Sequence, residues 1–186
     1  HAAAHLVDEH AAQAETEARV NGLWAFVQET LRQPFAVNHV PVLAGALDAS
    51  REVLFLADNA GETVFDRLLI ETMALPTRYV VKGNPVINDA TAKDAREAGL
   101  DRIAEIVSSG SDAPGTLLRD CSPEFLQIFH NASVIIAKGQ ANYETLSDIP
   151  APVFFLLKVK CPVIAEDMGV AQGAIICKRS DGYVKR

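Results

Sequence analysis

From residue 52 onward the chain keeps one grammar: a short apolar, β-rich run ends on a polar cluster and is followed by a segment of helical period. Strands that are apolar on both faces must be covered on both faces, and a helix between consecutive strands returns the chain for parallel pairing. The alternation predicts a three-layer α/β/α sandwich around a mostly parallel, Rossmann-like central sheet, preceded by an N-terminal helix. The expected strands are Glu52–Ala57, Arg78–Val81, Ile103–Val107, Ser133–Ala137 and Val153–Leu157. Between them the spacing predicts helices over Glu62–Leu75, Asp89–Ala98 (stopped by Gly99), Pro123–Asn131 and Ala141–Leu146. Ser122 ahead of Pro123 reads as an N-cap followed by proline at the first helical position. Val163–Ala165 and Gly173–Cys177 are expected to be short strands or an edge hairpin, and Gly110–Gly115 a turn-rich loop.

The first fifty residues read differently. Val20, Leu23, Trp24, Val27 and Leu31 form one apolar stripe that Pro34 stops, so residues 1–50 are expected to be a helical segment and residues 51–186 the α/β domain. Upstream, Ala2 to Ala18 is a further helix or a frayed end. His1 and His5 have the i, i+4 spacing of a metal pair on a helix, but without a third ligand a solvated helix face is the stronger reading. The chain starts on His1, not Met, which suggests a piece of a longer translation product.

Charge and hydropathy exclude several roles. With 17 basic against 24 acidic residues the formal charge is −7, and no Lys/Arg cluster offers nucleic acid a basic face. The longest strongly apolar run, Ala151 to Leu157, is far below the roughly 18–20 residues that span a bilayer, and no basic-then-apolar leader opens the chain. A cytoplasmic protein is expected, with no membrane partner; the oligomeric state is not legible. Cys121, Cys161 and Cys177 have neither disulfide nor zinc spacing. His39 and His130 have no nucleophile near them in sequence. Glycine-rich nucleotide fingerprints and the Gly-x-Ser-x-Gly elbow of serine hydrolases are missing.

Open parallel sheets bind ligands beyond the carboxyl ends of their strands, and three polar clusters fall there. The first is Asp58-Asn59-Ala60-Gly61-Glu62: adjacent oxygen ligands on a tight turn, suited to a hard cation or to a helix cap. The second runs from Lys82-Gly83-Asn84-Pro85 to Asn88-Asp89-Ala90-Thr91, where Asn88 and Asp89 suit either an N-cap or the other half of a Mg²⁺ or Mn²⁺ site. The third is Lys138-Gly139-Gln140-Ala141-Asn142-Tyr143-Glu144, whose glycine would free backbone N–H groups for a phosphoryl group. Lys158 and Lys160 follow the next strand. Lys82, Lys138 and Lys158, each behind an apolar run, suggest an anion pocket in an acidic protein.

These clusters, in this order and followed by Lys158 through Cys161-Pro162, resemble the damage-control phosphatase family, also labelled acidic-residue-methyltransferase-like. The resemblance implies an α/β/α sandwich that uses a divalent metal (Mn²⁺, Mg²⁺, Co²⁺ or Ni²⁺) to hydrolyse small phosphorylated metabolites: sugar phosphates, phosphopantetheine-like or nucleotide-like compounds. It implies Asp58, Asn59 and Asp89 as metal ligands. Phosphate and substrate contacts are expected on Lys82, Asn88, Lys138, Gly139, Gln140, Asn142, Glu144 and Lys158. Asp58, Glu62 and Asp89 are the expected catalytic carboxylates, with Glu62 or metal-activated water handling the proton. Residue 60 is Ala, so the Asp-x-Asp pattern that accompanies an aspartyl nucleophile is missing. Family members carry a helical N-terminal region, of which residues 1–50 would be a remnant. Two rival readings are an S-adenosylmethionine-dependent carboxyl methyltransferase and a non-catalytic phosphometabolite-binding domain.

Overall fold

The computed structural model describes residue 21, residue 25 and residues 28–182. The chain divides into two compact units, residues 1–34 and 35–186. In the first, residues 28–32 are helical and the helix ends before Pro34. The expected apolar stripe from Val20 to Val27 and the His1/His5 pair lie outside the described residues.

Among the described residues the second unit contains seven strands: β1 (Phe35–Asn38), β2 (Val53–Leu56), β3 (Thr77–Val81), β4 (Glu105–Ser108), β5 (Ile135–Lys138), β6 (Val153–Lys158) and β7 (Ile175–Arg179). Their order across the sheet is β1-β7-β6-β5-β2-β3-β4. The five strands from β6 to β4 are mutually parallel; β7 runs antiparallel to β6, and β1 parallel to β7. Helices α1 (Val40–Asp48), α2 (Thr63–Met73) and α3 (Ala92–Glu97) precede α4 (Pro123–Asn131), α5 (Gln140–Leu146) and α6 (Pro162–Met168).

Two cores sandwich the sheet. Phe55, Tyr79, Val81 and Ile136 turn one way, toward Leu43 of α1, Ile70 of α2 and Ala95 of α3. Leu54, Leu56, Ala137 and Phe155 turn the other way, toward Phe125 and Phe129 of α4, Leu146 of α5 and Ile164 of α6. The alternation within β2 gives the three layers their physical cause: successive side chains leave a strand on opposite faces, and all four residues of β2 are buried. Phe55 and Tyr79 stack across the β2–β3 pair at 5.4 Å between ring centroids, and burying each such ring contributes about 1.5–3 kcal/mol.

Several local expectations meet corrections. The segment expected to be helical through residue 50 contains a strand, β1, because Phe35–Asn38 pairs with the edge of β7 that β6 leaves open. Val163–Ala165 is not a strand: it lies inside α6, where Pro162 occupies the first turn and Gly169, at φ 63, ends the helix. Gly173–Cys177 shifts to β7, which is an interior strand and no edge hairpin. Ser122 caps α4 as expected, accepting a hydrogen bond from the Phe125 N–H at 3.2 Å.

Asn88 and Asp89 cap nothing. The helix expected at Asp89 begins at Ala92 behind a capping box, in which Thr91 Oγ1 accepts from the Asp94 N–H and Asp94 Oδ2 accepts from the Thr91 N–H at 2.9 Å. The Thr91 hydroxyl and backbone N–H hold the Asp94 carboxyl below its usual range. Its contribution to stability is therefore complete at neutral pH and is lost as pH falls through the folded-state value. Thr91→Ala is expected to cost about 1 kcal/mol at pH 7 and less near pH 3, measured by urea unfolding at the two pH values.

Candidate active site

After β4 the chain changes direction across the sheet. β2, β3 and β4 progress one way, whereas the chain then crosses back to place β5 on the other flank of β2. Strand order reverses at the β2/β5 boundary, so the loops beyond the carboxyl ends of β2 and β5 diverge and leave a crevice. The Asp58–Glu62 turn follows β2 and the Lys138–Gly139 turn ends β5.

Backbone hydrogen bonds bring the β3 loop to the β2 loop. Asn59 and Asp89 form an antiparallel bridge. The Ala60 N–H donates to the Asn88 carbonyl and the Ala90 N–H to the Asp58 carbonyl, each at 2.8 Å. This clamp sets Asp89 beside Asp58 and Asn59 although it lies thirty residues further along the chain. Their side chains, with Glu62, Lys138, Gly139, Gln140, Lys158 and Lys160, line a cleft of about 540 Å³.

The charges within it are strongly coupled. Burial, then the negative charges of Glu62 and Asp89, push the Asp58 carboxyl up to about 6, against the pull of Lys138 and Lys160. Asn59 Nδ2 donates to Asp58 Oδ2 at 2.8 Å and to Glu62 Oε1 at 2.9 Å. Lys138 Nζ donates to Glu62 Oε2 and to Asp66 Oδ1, both at 2.8 Å. Burial works to raise the Glu62 carboxyl, but the Lys138 hydrogen bond and charge outweigh it and hold Glu62 below the usual carboxylate range. Burial likewise works to lower the Lys138 ammonium, and its two carboxylate partners hold it above its ordinary value.

Asp66 was not legible as a site residue. It is 1% exposed on α2, four residues after Glu62 and thus on the same helix face. Its Oδ2 accepts from the Tyr79 hydroxyl at 2.8 Å. Burial pushes its carboxyl up against the opposing pull of Lys138. An acid in the buried stripe that holds Thr63 and Ile70 was the available signal.

The structure separates the remaining candidates. Lys82 points inward: its ammonium donates to the carbonyls of Ala113 and Gly115 and lies 3.4 Å from Asp89 Oδ2, so it braces Asp89 and the 110–116 loop and does not line the cleft. Asn142 is a strap, donating to the carbonyls of Ala57 at 3.1 Å and Lys138 at 2.8 Å while accepting from Thr116 Oγ1. Gln140 Oε1 accepts from the Lys160 and Cys161 N–H groups and ties the β6 loop to α5. Glu144 is exposed, accepts from Gln140 Nε2 at 2.9 Å and is outside the cleft lining, and the exposed Asn88 contributes its backbone carbonyl to the clamp. Gly139 does not offer its own N–H to a ligand, because that group donates to the Leu156 carbonyl at 3.0 Å. Its role is spatial: at φ 79 and ψ 168 it passes beneath Asp58, where a Cβ would overlap the carboxylate. Lys160, absent from the expected contacts, is in the lining.

Among the described residues no three His, Cys, Asp or Glu side chains are grouped so as to hold a metal ion. Any cation here would draw on the Asn59 amide oxygen beside the Asp58 and Asp89 carboxylates. No described helix is long and apolar enough to cross a membrane.

Comparison with known proteins matches this arrangement to one family. A model described as the damage-control phosphatase ARMT1-like domain covers residues 7–176. The chain is 38% identical over 159 residues to a damage-control phosphatase of Pyrococcus horikoshii, an alignment that covers 83% of this chain and 55% of the relative. It is 42% identical over 135 residues to a damage-control phosphatase of Archaeoglobus fulgidus, covering 70% and 47%. An uncharacterized protein of Methanocaldococcus jannaschii is 45% identical over 156 residues, covering 79% and 51%. The chain thus spans about half the length of the curated relatives it matches. The crystal structure of a DUF89 family protein from P. horikoshii superimposes with a TM-score of 0.82 at 37% identity, covering 87% of this chain and 58% of that one. With the fold, the order of the motifs and the family match in agreement, the chain belongs to the ARMT1-like damage-control phosphatases.

Proposed function

We propose that this chain carries the phosphoryl-hydrolysing site of a phosphatase that uses a divalent metal and acts on small phosphorylated metabolites, clearing damaged or excess compounds. The observation that supports this most is the backbone clamp between Asn59 and Asp89, which gathers an all-oxygen donor set opposite a lysine-bearing wall at the sheet's switch point. Oxygen donors suit hard ions such as Mg²⁺ or Mn²⁺, and a cation between the carboxylates would offset the burial and the neighbouring negative charges that together raise Asp58. When bound, such an ion supplies Lewis-acid polarisation of a phosphoryl oxygen.

The chain's own groups would do the rest. Asp58, Asn59 and Asp89 hold the cation. Lys158 and Lys160, from the loop end of β6, face the same cleft and would bind the anionic phosphoryl oxygens. Lys138, fixed between Glu62 and Asp66, keeps Glu62 ionised and oriented, so that Glu62 would accept a hydrogen bond from attacking water and orient it. Net acidity elsewhere does not oppose this, because the field that matters is local.

The test is inorganic phosphate release from a panel of sugar phosphates, nucleotides and phosphopantetheine, with and without a chelator, after re-addition of Mn²⁺, Mg²⁺, Co²⁺ or Ni²⁺, and in parallel with S-adenosylmethionine. Metal-restored phosphate release is expected. Methyl transfer without phosphate release would make the chain a methyltransferase, and ligand-induced shifts without turnover a binding domain.

A further inference from the structure

Ile87 sits at the tip of the β3 loop at φ 48. The Asp89 N–H donates to the Val86 carbonyl at 2.9 Å, closing a turn with Ile87 at its second position. A left-handed backbone is unfavourable for a β-branched residue, and glycine would adopt it without strain. Among the described residues the other non-glycine at positive φ is Ala74, whose conformation ends α2. Ile87 ends no helix. Its side chain is also 86% exposed, so no packing within the fold offsets the strain. It nevertheless lines the cleft that holds Asp58, Asn59 and Asp89.

If the turn served only to place Asn88 and Asp89 in the clamp, glycine would be the better residue. Isoleucine adds an apolar side chain at the rim. Pro114, on the loop beyond the neighbouring strand β4, lines the same cleft, and Phe35, Leu156 and Ile175 line it from the flank of β6, β7 and β1. At about 540 Å³ the cleft exceeds what a phosphoryl group fills and falls within the range of sites that enclose a whole small molecule.

We propose that Ile87 is a specificity contact of this site: it packs against the alcohol portion of the phosphomonoester and favours substrates whose alcohol bears an apolar ring face. The proposal rests on the phosphatase reading, since it takes the phosphoryl group to lie at the carboxylate and lysine floor. Strain of this kind clusters at active sites and ligand clamps and persists where the backbone around it is held, as the Val86–Asp89 turn bond and the Asn59–Asp89 bridge hold it here.

The experiment is calorimetric titration with phenylphosphonate and methylphosphonate in the presence of Mg²⁺, on the wild-type chain, Ile87→Gly and Ile87→Val. The wild type is expected to prefer the phenyl ligand by roughly tenfold, Ile87→Val to keep most of that preference, and Ile87→Gly to lose it. Ile87→Gly should melt no lower than wild type, since the turn is relaxed. A preference that survives in Ile87→Gly, a wild type without preference, equal weakening of both ligands, or no binding of either would overturn the proposal. Wild-type turnover of phenyl phosphate and methyl phosphate tests the phosphatase reading separately: absence of turnover alongside an Ile87-dependent preference would refute hydrolysis and leave the contact standing.

Discussion

If the proposed function holds, Asp89→Ala is expected to lower metal-dependent phosphate release on the order of 10³-fold while leaving the chain folded. Asp89 is held in place from two directions. The antiparallel bridge to Asn59 fixes its backbone, and Lys82 lies 3.4 Å from its carboxylate. Removing the carboxylate takes away one of the two charged donors of the proposed cation set and the acid that lies 3.4 Å from the Lys82 ammonium, which keeps its bonds to the Ala113 and Gly115 carbonyls. The backbone bonds of the clamp do not involve the side chain and should survive. Turnover and Mn²⁺ titration on the variant, with circular dichroism to confirm folding, check this. Full activity would remove Asp89 from the ligand set, whereas lost activity with unchanged Mn²⁺ affinity would move its role from metal binding to catalysis.

Gly139→Ala should be nearly as damaging, by a different route. At φ 79 and ψ 168 the backbone occupies a region that only glycine enters readily, and a Cβ there would overlap the Asp58 carboxylate. Either the β5 turn moves or Asp58 swings out of the cleft. A loss of about 2–4 kcal/mol of stability together with a drop in turnover of at least about 100-fold is expected. Gly61 supplies the control within the same site, because nothing lies within 4 Å of a Cβ built there. Gly61→Ala should stay within about 0.5 kcal/mol of wild type by urea unfolding. Equal behaviour of the two variants would show that close approach beneath Asp58 is not what requires glycine at 139.

The layer architecture was legible because it rests on local periodicity. Glu52–Ala57 and Ser133–Ala137 read as strands from composition alone and overlap β2 and β5, and Ser122-Pro123 announced its helix through the chemistry of a cap. The misreadings share a cause in neighbours distant along the chain. Phe35–Asn38 has no strong strand signal and is extended because β7 offers it hydrogen bonds, while Val163–Ala165 is β-branched in part yet helical between Pro162 and Gly169. Asn88 and Asp89 looked like caps because their side chains suit caps; the Ala60 and Ala90 bonds to the β2 loop took their backbone instead.

The candidate site divides in the same way. Order and residue type along the sequence picked out Asp58, Asn59, Glu62, Asp89, Lys138, Gly139 and Lys158, each the last residue of a strand or part of the loop that follows one. Function for the three strand-end lysines could not be assigned that way. Sequence treats them as equivalent positive charges; in the folded chain Lys82 braces a loop from within, Lys138 is gripped by Glu62 and Asp66, and Lys158 lines the cleft.

What the sequence determined by itself was the fold class, the family and the set of loops in which chemistry could reside, since helical and strand periods and capping residues act over a few positions. Only the tertiary structure decided which of those loops touch, which charges neutralise one another, that Asp66 grips Lys138 and that Ile87 lines the cleft. Those outcomes depend on strand order and on hydrogen bonds between segments remote in the chain, and neither is written in local pattern.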